Sequence, residues 1–272
     1  MSQPVTELIT DVDHLVTEDD TPVDNLPSEK QQRLLIEPLY SSWSGPGPGR
    51  KFLAAANVGV FYSVRQPAIV PDMFLSLDVE VAPDWWKKQH RSYFAWEFGK
   101  MPELVLEIVS NTEGGEDGEK KQSYARMGIV YYVIYDPLRQ IMPETLTVYR
   151  LQEFSYEKQS EARFPAIKLG LTEWEGEFEG KHDRWLRWTD EHGQIIPTGK
   201  ERAEIERQRA EAERQRAEAE RQRAEAEHHR AEQERKEKEM LLQQLEEERQ
   251  RAARLAERLR QLGYDPDQQL DA

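Results

Sequence analysis

The order of periodic segments predicts an α/β domain followed by one long helix. Two observations carry the first part. Leu104 to Val109 and Tyr131 to Tyr135 are apolar runs of strand length, and the stretch between them turns helical and closes on Gly128 as a C-cap glycine does. The long helix rests on a third observation, a seven-residue repeat, Ala-Glu-Ala-Glu-Arg-Gln-Arg, that runs from Ala203 past Ala224. Ala, Glu, Gln and Arg are all strong helix formers.

Taken in order, residues 1–30 are acidic and poor in large apolar clusters, with Asp11, Asp13, Glu18, Asp19, Asp20 and Asp24, and are expected to be a flexible segment. A globular domain is assigned to residues 31–198. It opens on Leu34-Leu35-Ile36 and passes through a Gly/Pro loop from Ser44 to Gly49. The pattern from Lys51 to Val60 reads as a helix that begins the better-defined core. Ala68-Ile69-Val70 is a short apolar run halted by Pro71, which leaves Asp72 at a strand end. After the strands at 104–109 and 131–136, Thr145 to Leu151 alternates as a further strand, and the aromatic-rich stretch from Leu171 to Trp188 is expected to pack back as the edge of the domain. Pro197-Thr198-Gly199 punctuates the chain, so a cut after Gly199 is expected to leave the globular part intact. Residues 199–262 form the long charged helix and 263–272 a tail.

Within the helix, the repeat places its alanines at i and i+2, about 200° apart at 100° per residue, so Ala203 to Ala231 has no conventional apolar seam. Glu-to-Arg pairs three apart and Arg-to-Glu pairs four apart lace its surface instead. A seam begins later. Leu241, Leu245, Glu248, Ala252, Leu255, Leu259 and Leu262 follow the 4,3 spacing of a coiled coil, broken by one polar member. Self-association through 241–262 is therefore expected, the alternative being a solvated arm.

The chain of 272 residues has no cysteine, no signal-peptide pattern and no apolar run near the ~18 residues that a membrane span needs. A cytoplasmic protein without zinc-thiolate sites is expected. His228-His229, in the charged tail, reads as a lapse in the repeat. The net charge is −15, and residues 200–262 hold 17 Lys plus Arg against 17 Glu, so the excess lies elsewhere, mostly in 1–199. A tight nonspecific nucleic-acid binder normally carries a basic field; any such contact here is expected to be weak or conditional.

Chemistry concentrates in three residues. Side chains alternate along Leu104 to Val109, so Glu107 shares a row with Val105 and Val109 that otherwise reads as buried. An ionised carboxylate there is costly unless a cation, a metal or several donors satisfy it. Asp72 supplies a second acid, and Lys120, sharing a helix face with Tyr124, supplies a cation. Two carboxylates can hold one hard divalent cation with water and a phosphate oxygen, while a lysine orients the attacking water and offsets charge on the phosphate. Each residue also has a plain reading: Asp72 as a turn former, Glu107 as the partner of a core cation without metal, Lys120 as a solvated helix-start lysine. Tyr131 to Tyr135 read first as core.

Pro71-Asp72, the Leu-Glu-Ile-Val-Ser of 106–110, Lys120-x-x-x-Tyr124 and the segment from Gly128 to Pro137 together resemble the Uma-type endonuclease family of the PD-(D/E)xK nuclease superfamily. The resemblance spans roughly residues 31–195. It implies a restriction-endonuclease-like core with a central mixed sheet flanked by helices, and hydrolysis of phosphodiester bonds in DNA with Mg²⁺, or Mn²⁺, as cofactor. It further implies Asp72 and Glu107 as metal ligands and Asp72, Glu107 and Lys120 as the catalytic set. The superfamily's usual lysine, two residues after the acid, is replaced by Val109, so the role is carried to Lys120, with Lys121 and Lys100 as rivals. A catalytically decayed nuclease fold that acts as a scaffold through its helix is the competing reading.

Overall fold

A computed structural model of the chain describes Leu15, residues 25–110 and residues 116–263. Most of the expected flexible acidic segment lies outside the described residues, but its end does not: helix α1 (Leu26–Ser41) begins there, capped by the Asn25 side chain, which accepts from Ser28 N at 3.0 Å. The chain continues through β1 (Phe52–Ala55), β2 (Val60–Phe61), β3 (Met73–Leu77), β4 (Tyr93–Phe94), the short α2 (Ala95–Phe98) and β5 (Leu104–Ile108). A π-helical turn (Glu116–Lys120) runs into α3 (Lys121–Met127). Strands β6 (Tyr131–Tyr135), β7 (Leu146–Gln152), β8 (Ser155–Lys158), β9 (Arg163–Phe164), β10 (Leu169–Phe178) and β11 (Lys181–Asp190) follow, and then α4 (Gly199–Gln261).

Six strands form one sheet in the order β1-β3-β5-β6-β7-β8. The β5–β6 pair, joined through α3, is parallel, and the other pairs are antiparallel, so the sheet is mixed. Every residue of β3, β5 and β6 is buried, as expected of central strands covered on both faces. Leu104, Leu106 and Ile108 join Leu35 and Leu39 of α1 and Leu169, Leu171, Leu186 and Trp188 of the β10–β11 hairpin on one face. Val105 and Val109 pack on the other with Phe74, Tyr93, Tyr124, Met127 and Tyr132.

Three segments differ from the sequence reading. Lys51 to Val60 is not a helix: Phe52–Ala55 pairs antiparallel with β3, Phe52 opposite Leu77, and this pairing overrides the helix preference of its alanines. Ala68-Ile69-Val70 forms only a bridge between Ile69 and Val60, and Asp72 stands at the entry to β3 rather than at the end of an upstream strand. The strand-forming run is the apolar Met73–Leu77 after the proline. The Leu171–Trp188 stretch becomes a long hairpin in its own three-stranded sheet with β9, a layer over the first face and not the domain's edge. Glu179 and Gly180 make its two-residue turn at φ of 46° and 77°, the geometry that matches strand twist. Gln31 of α1 ties the hairpin down: its amide donates to Leu186 O at 2.8 Å and accepts from Leu186 N at 2.9 Å, satisfying both main-chain groups of an edge residue.

The chain forms two compact units that divide after Ala203. The first turn of α4 thus belongs to the globular unit, beyond the expected boundary at 198. Thr198 and Glu201 make a capping box, Glu201 N donating to Thr198 Oγ1 at 3.2 Å and Thr198 N to Glu201 Oε2 at 2.8 Å. The same carboxylate takes a two-pronged contact from Arg187 of β11 at 2.9 and 2.6 Å, and Arg187 is only 4% exposed. In the second unit α4 is solvated, with Arg221–Glu225 and Arg235–Glu239 ion pairs four apart. Leu241, Leu245, Leu255, Leu259 and Leu262 are all exposed. No described helix is long and apolar enough to cross a membrane.

Ending the chain after Ala203 should leave the globular unit at full stability, whereas ending it after Gly199 removes Glu201 and leaves Arg187 buried without its carboxylate. Urea unfolding should show the shorter form to be less stable by about 2 kcal/mol, below the cost of breaking a fully buried pair because Glu201 is partly exposed. Equal midpoints would mean that the clamp contributes nothing.

Candidate active site

Strand register brings the acids together. Met73 pairs with Leu106 and Phe74 with Val105; continuing that antiparallel register by one pair sets Asp72 opposite Glu107, on the face that carries Phe74 and Val105. Asp72 also reaches β5 directly, its Oδ2 accepting from Ile108 N at 2.5 Å while its Oδ1 accepts from Gln32 Nε2 of α1 at 3.3 Å. Glu107 is 1% exposed. Both of its oxygens are engaged: Oε1 accepts from the Tyr124 hydroxyl at 2.6 Å and Oε2 from Lys120 Nζ at 3.0 Å.

The π-helical turn explains how Lys120 gets there. Widening the helix by one residue at Glu116–Lys120 precedes α3, and Lys120 and Tyr124, four apart, descend side by side onto Glu107. Gly128, at φ 76°, then ends α3 in the left-handed conformation and returns the chain to β6. The rival lysines go elsewhere. Lys100 Nζ donates to Leu77 O at 3.0 Å and pairs with Glu103, at the far end of β3 from Asp72. Lys121 pairs with Asp117 at 3.2 Å and lies 3.7 Å over the Tyr149 ring. Val109, where the superfamily usually has lysine, is buried among apolar side chains.

Electrostatics follow from burial. Desolvation pushes the Glu107 carboxyl above its ordinary range, opposed by the Lys120 charge and the Tyr124 hydrogen bond. Desolvation pulls the Lys120 ammonium down, but Glu107, Glu116 and Asp72 outweigh it and hold the group above its ordinary value. The Tyr124 hydroxyl is pushed well up, first by burial and then by the Glu107 charge, so it stays a donor.

A third carboxylate sits beside these. Glu116, 7% exposed, approaches Lys120 Nζ with Oε1 at 3.6 Å, and its Oε2 is buried without a hydrogen-bond partner. Among the described residues no three His, Asp or Glu side chains already form a metal cluster. The donor set nevertheless fits a small hard cation. Mg²⁺ is commonly held by one or two carboxylates with several waters, Asp72 and Glu107 are adjacent oxygen donors, and the Glu116 oxygen on the same side of the sheet lacks a hydrogen-bonding neighbour.

Residues 19–175, more than half of the chain, match the Uma2 family, described as "Putative restriction endonuclease". The chain belongs to the Uma2 family. No curated protein and no solved structure matches it. The mixed sheet with flanking helices is in keeping with the restriction-endonuclease-like core that this family implies. Within the Uma2 region, Asp136, just before Pro137, is structural: wholly buried, it accepts from the backbone N–H groups of Gln140, Ile141 and Met142 at 2.8 to 2.9 Å.

Three participants were not assigned a role from sequence. The Tyr124 spacing from Lys120 signalled a shared face but not a hydrogen bond to Glu107. Glu116 has the same four-residue spacing on the other side of Lys120, but Gly114, Gly115 and Gly118 around it hide that signal. Gln32 lies 40 residues from Asp72, and nothing local marks it.

A carboxyl whose folded pKa is raised contributes stability that is fully present below its unfolded pKa and lost as pH rises through the folded value, about 1.4 kcal/mol for every tenfold difference in proton affinity between the two states. Wild-type stability measured against Glu107→Gln by urea unfolding should therefore decline as pH rises from about 4.5, the unfolded carboxyl value, towards neutrality. A difference that stays flat across this window would mean that Glu107 titrates as an ordinary carboxylate.

Proposed function

We propose that this Uma2 protein is a divalent-cation-dependent endonuclease that hydrolyses phosphodiester bonds in DNA. The reading rests on one observation above the others: a lysine contacts a buried strand carboxylate at 3.0 Å beside a second carboxylate that faces it across the strand pair. Asp72 and Glu107 are the residues that would hold Mg²⁺, or Mn²⁺ in its place. A cation there supplies Lewis-acid polarisation of a phosphate oxygen. Lys120, already directed at Glu107, orients the attacking water and offsets negative charge that grows on the phosphate. Tyr124 keeps the Glu107 carboxylate in place by holding its other oxygen, and Gln32 does the same for Asp72.

A scaffold role is the second reading. It is favoured by the engagement of both Glu107 oxygens within the chain, by Val109, and by the net charge of −15. The exposed leucines of α4 serve either reading, as the surface through which two copies associate.

Relaxation and linearisation of plasmid DNA should require Mg²⁺ or Mn²⁺ and disappear in Asp72→Ala and in Glu107→Ala variants that retain a folded circular-dichroism spectrum. Lys120→Ala should slow turnover by about 10²- to 10³-fold, the usual effect of losing one charge-stabilising donor, with a smaller change in the metal concentration needed. Cleavage indifferent to these substitutions would come from a contaminant, and a purified protein that cuts no nucleic acid would favour the scaffold.

For the arm, sedimentation velocity should find an oligomer for the full chain and a monomer for Leu255→Glu combined with Leu259→Glu, because two charges would enter the seam. A monomeric wild type at micromolar concentration would leave α4 as a solvated helix or a docking site for a different protein.

A further inference from the structure

The turn that leads into β4 carries the most exposed tryptophans in the molecule. Trp85 and Trp86 are 57% and 76% exposed. They are neighbours in space as well as in sequence, with ring centroids 6.0 Å apart and planes at 68°, so they meet edge to face and are not stacked on each other. The backbone beneath them is ordered by its own hydrogen bonds: Lys87 N donates to Asp84 O at 2.9 Å, His90 N to Lys87 O at 2.8 Å, and Arg91 Nε to Trp86 O at 2.8 Å. A short 3₁₀ turn, Lys88–His90, follows. Two large rings held in water on a structured turn expose apolar area that a solitary surface side chain does not, which marks a contact surface.

The charge of this turn runs against that of the chain. Residues 84–91 hold Lys87, Lys88 and Arg91 against one carboxylate, Asp84, in a protein whose net charge is −15. Asp84 pairs with Lys87 at 2.5 Å and with His90 at 2.7 Å, leaving the turn net positive. The turn is anchored to the sheet face that carries Glu107: Tyr93, two residues past Arg91, packs in the cluster of Phe74, Val105 and Tyr124, and its hydroxyl bonds Ser76 at 2.9 Å and Lys100 O at 3.0 Å.

Aromatic faces beside cations are the combination that recognises single-stranded nucleic acid. Unpaired bases stack on the rings whatever their sequence, and the cations follow the phosphates. A duplex hides its base faces and would leave the tryptophans in water. We infer that Trp85 and Trp86, with Lys87 and Lys88, form a binding surface for unpaired nucleotides of a nucleic-acid strand. It shares with the nuclease reading only the premise that the chain meets nucleic acid, and does not require the Asp72–Glu107 site to be active.

The test uses the full chain in EDTA, so that cleavage plays no part, with a fluorescein-labelled oligothymidylate of about 15 nucleotides and the matching duplex followed by anisotropy. The single strand should bind more tightly than the duplex. Trp85→Ala with Trp86→Ala should weaken it about tenfold or more, while Trp85→Phe with Trp86→Phe restores most of the affinity because a stacking face remains. Lys87→Gln with Lys88→Gln should lower the slope of log affinity against log salt by about 1.4, at about 0.7 per phosphate contact; the tryptophan variants should leave it unchanged. All of these side chains are on an exposed turn, so unfolding midpoints should stay at the wild-type value. The inference is overturned if the oligonucleotide does not bind, if binding ignores loss of both rings, or if phosphatidylserine vesicles bind in a tryptophan-dependent way while the oligonucleotide does not. A protein that binds as expected yet cuts nothing in Mg²⁺ would refute the nuclease reading and leave this surface standing.

Discussion

An acid in the middle of a covered sheet has to be compensated, and the architecture around Glu107 is organised by that requirement. The carboxylate projects from β5 into a layer of Phe74, Val105, Val109, Tyr124 and Tyr132, where an unpaired charge would cost several kcal/mol. The chain meets the cost with a hydroxyl on one oxygen and an ammonium on the other. Both donors come from the connection between β5 and β6, so the crossover that makes those strands parallel also delivers the counter-charge. A helix that began without the π turn would carry Lys120 and Tyr124 at a different angle to the sheet.

One of the buried polar atoms left without a partner lies at the same place. Asp72 is held by Gln32 and the Ile108 amide, Glu107 by Lys120 and Tyr124, yet Glu116 keeps a buried oxygen without a partner. Buried polar groups are nearly always paired, and one of the several exceptions among the described residues belongs to the carboxylate beside Lys120. Stability elsewhere depends on ordinary means: a layer of leucines and aromatics between α1, the hairpin and the sheet, and main-chain groups closed off by side chains such as Gln31 and Asp136.

The acidic charge of the chain and its family are reconciled by geography. Residues 200–262 are neutral overall, and residues 1–30 carry −7 of the excess against −5 in residues 31–199, so attraction of the globular part to a polyanion has to be local. Under the readings proposed above, Lys120 beside the carboxylates and the Trp85–Lys88 turn would be such places, the first half-buried and the second exposed.

Periodicity alone determined β5, the helix after it with its glycine end, β6, β7 and the long helix, because each has a strong local pattern and a local stop: alternation in Leu104 to Val109, Gly128 after Met127, a seven-residue repeat after Gly199. It also singled out Glu107, since a charged residue in an apolar alternating row is visible without any structure. Tertiary structure decided the rest. Phe52–Ala55 is composed of residues that suit either state, and pairing with β3 made it a strand. Whether Asp72 ended one strand or opened the next depended on which apolar run found a partner, and Met73–Leu77 found β1 and β5 on its two sides. The choice among Lys100, Lys120 and Lys121 was a question of where each ammonium arrives, which spacing cannot answer. Gln32, Glu116 and the Arg187–Glu201 clamp belong to the same class: their partners are brought in by folding, and a contact between distant segments leaves no mark on either segment's own pattern.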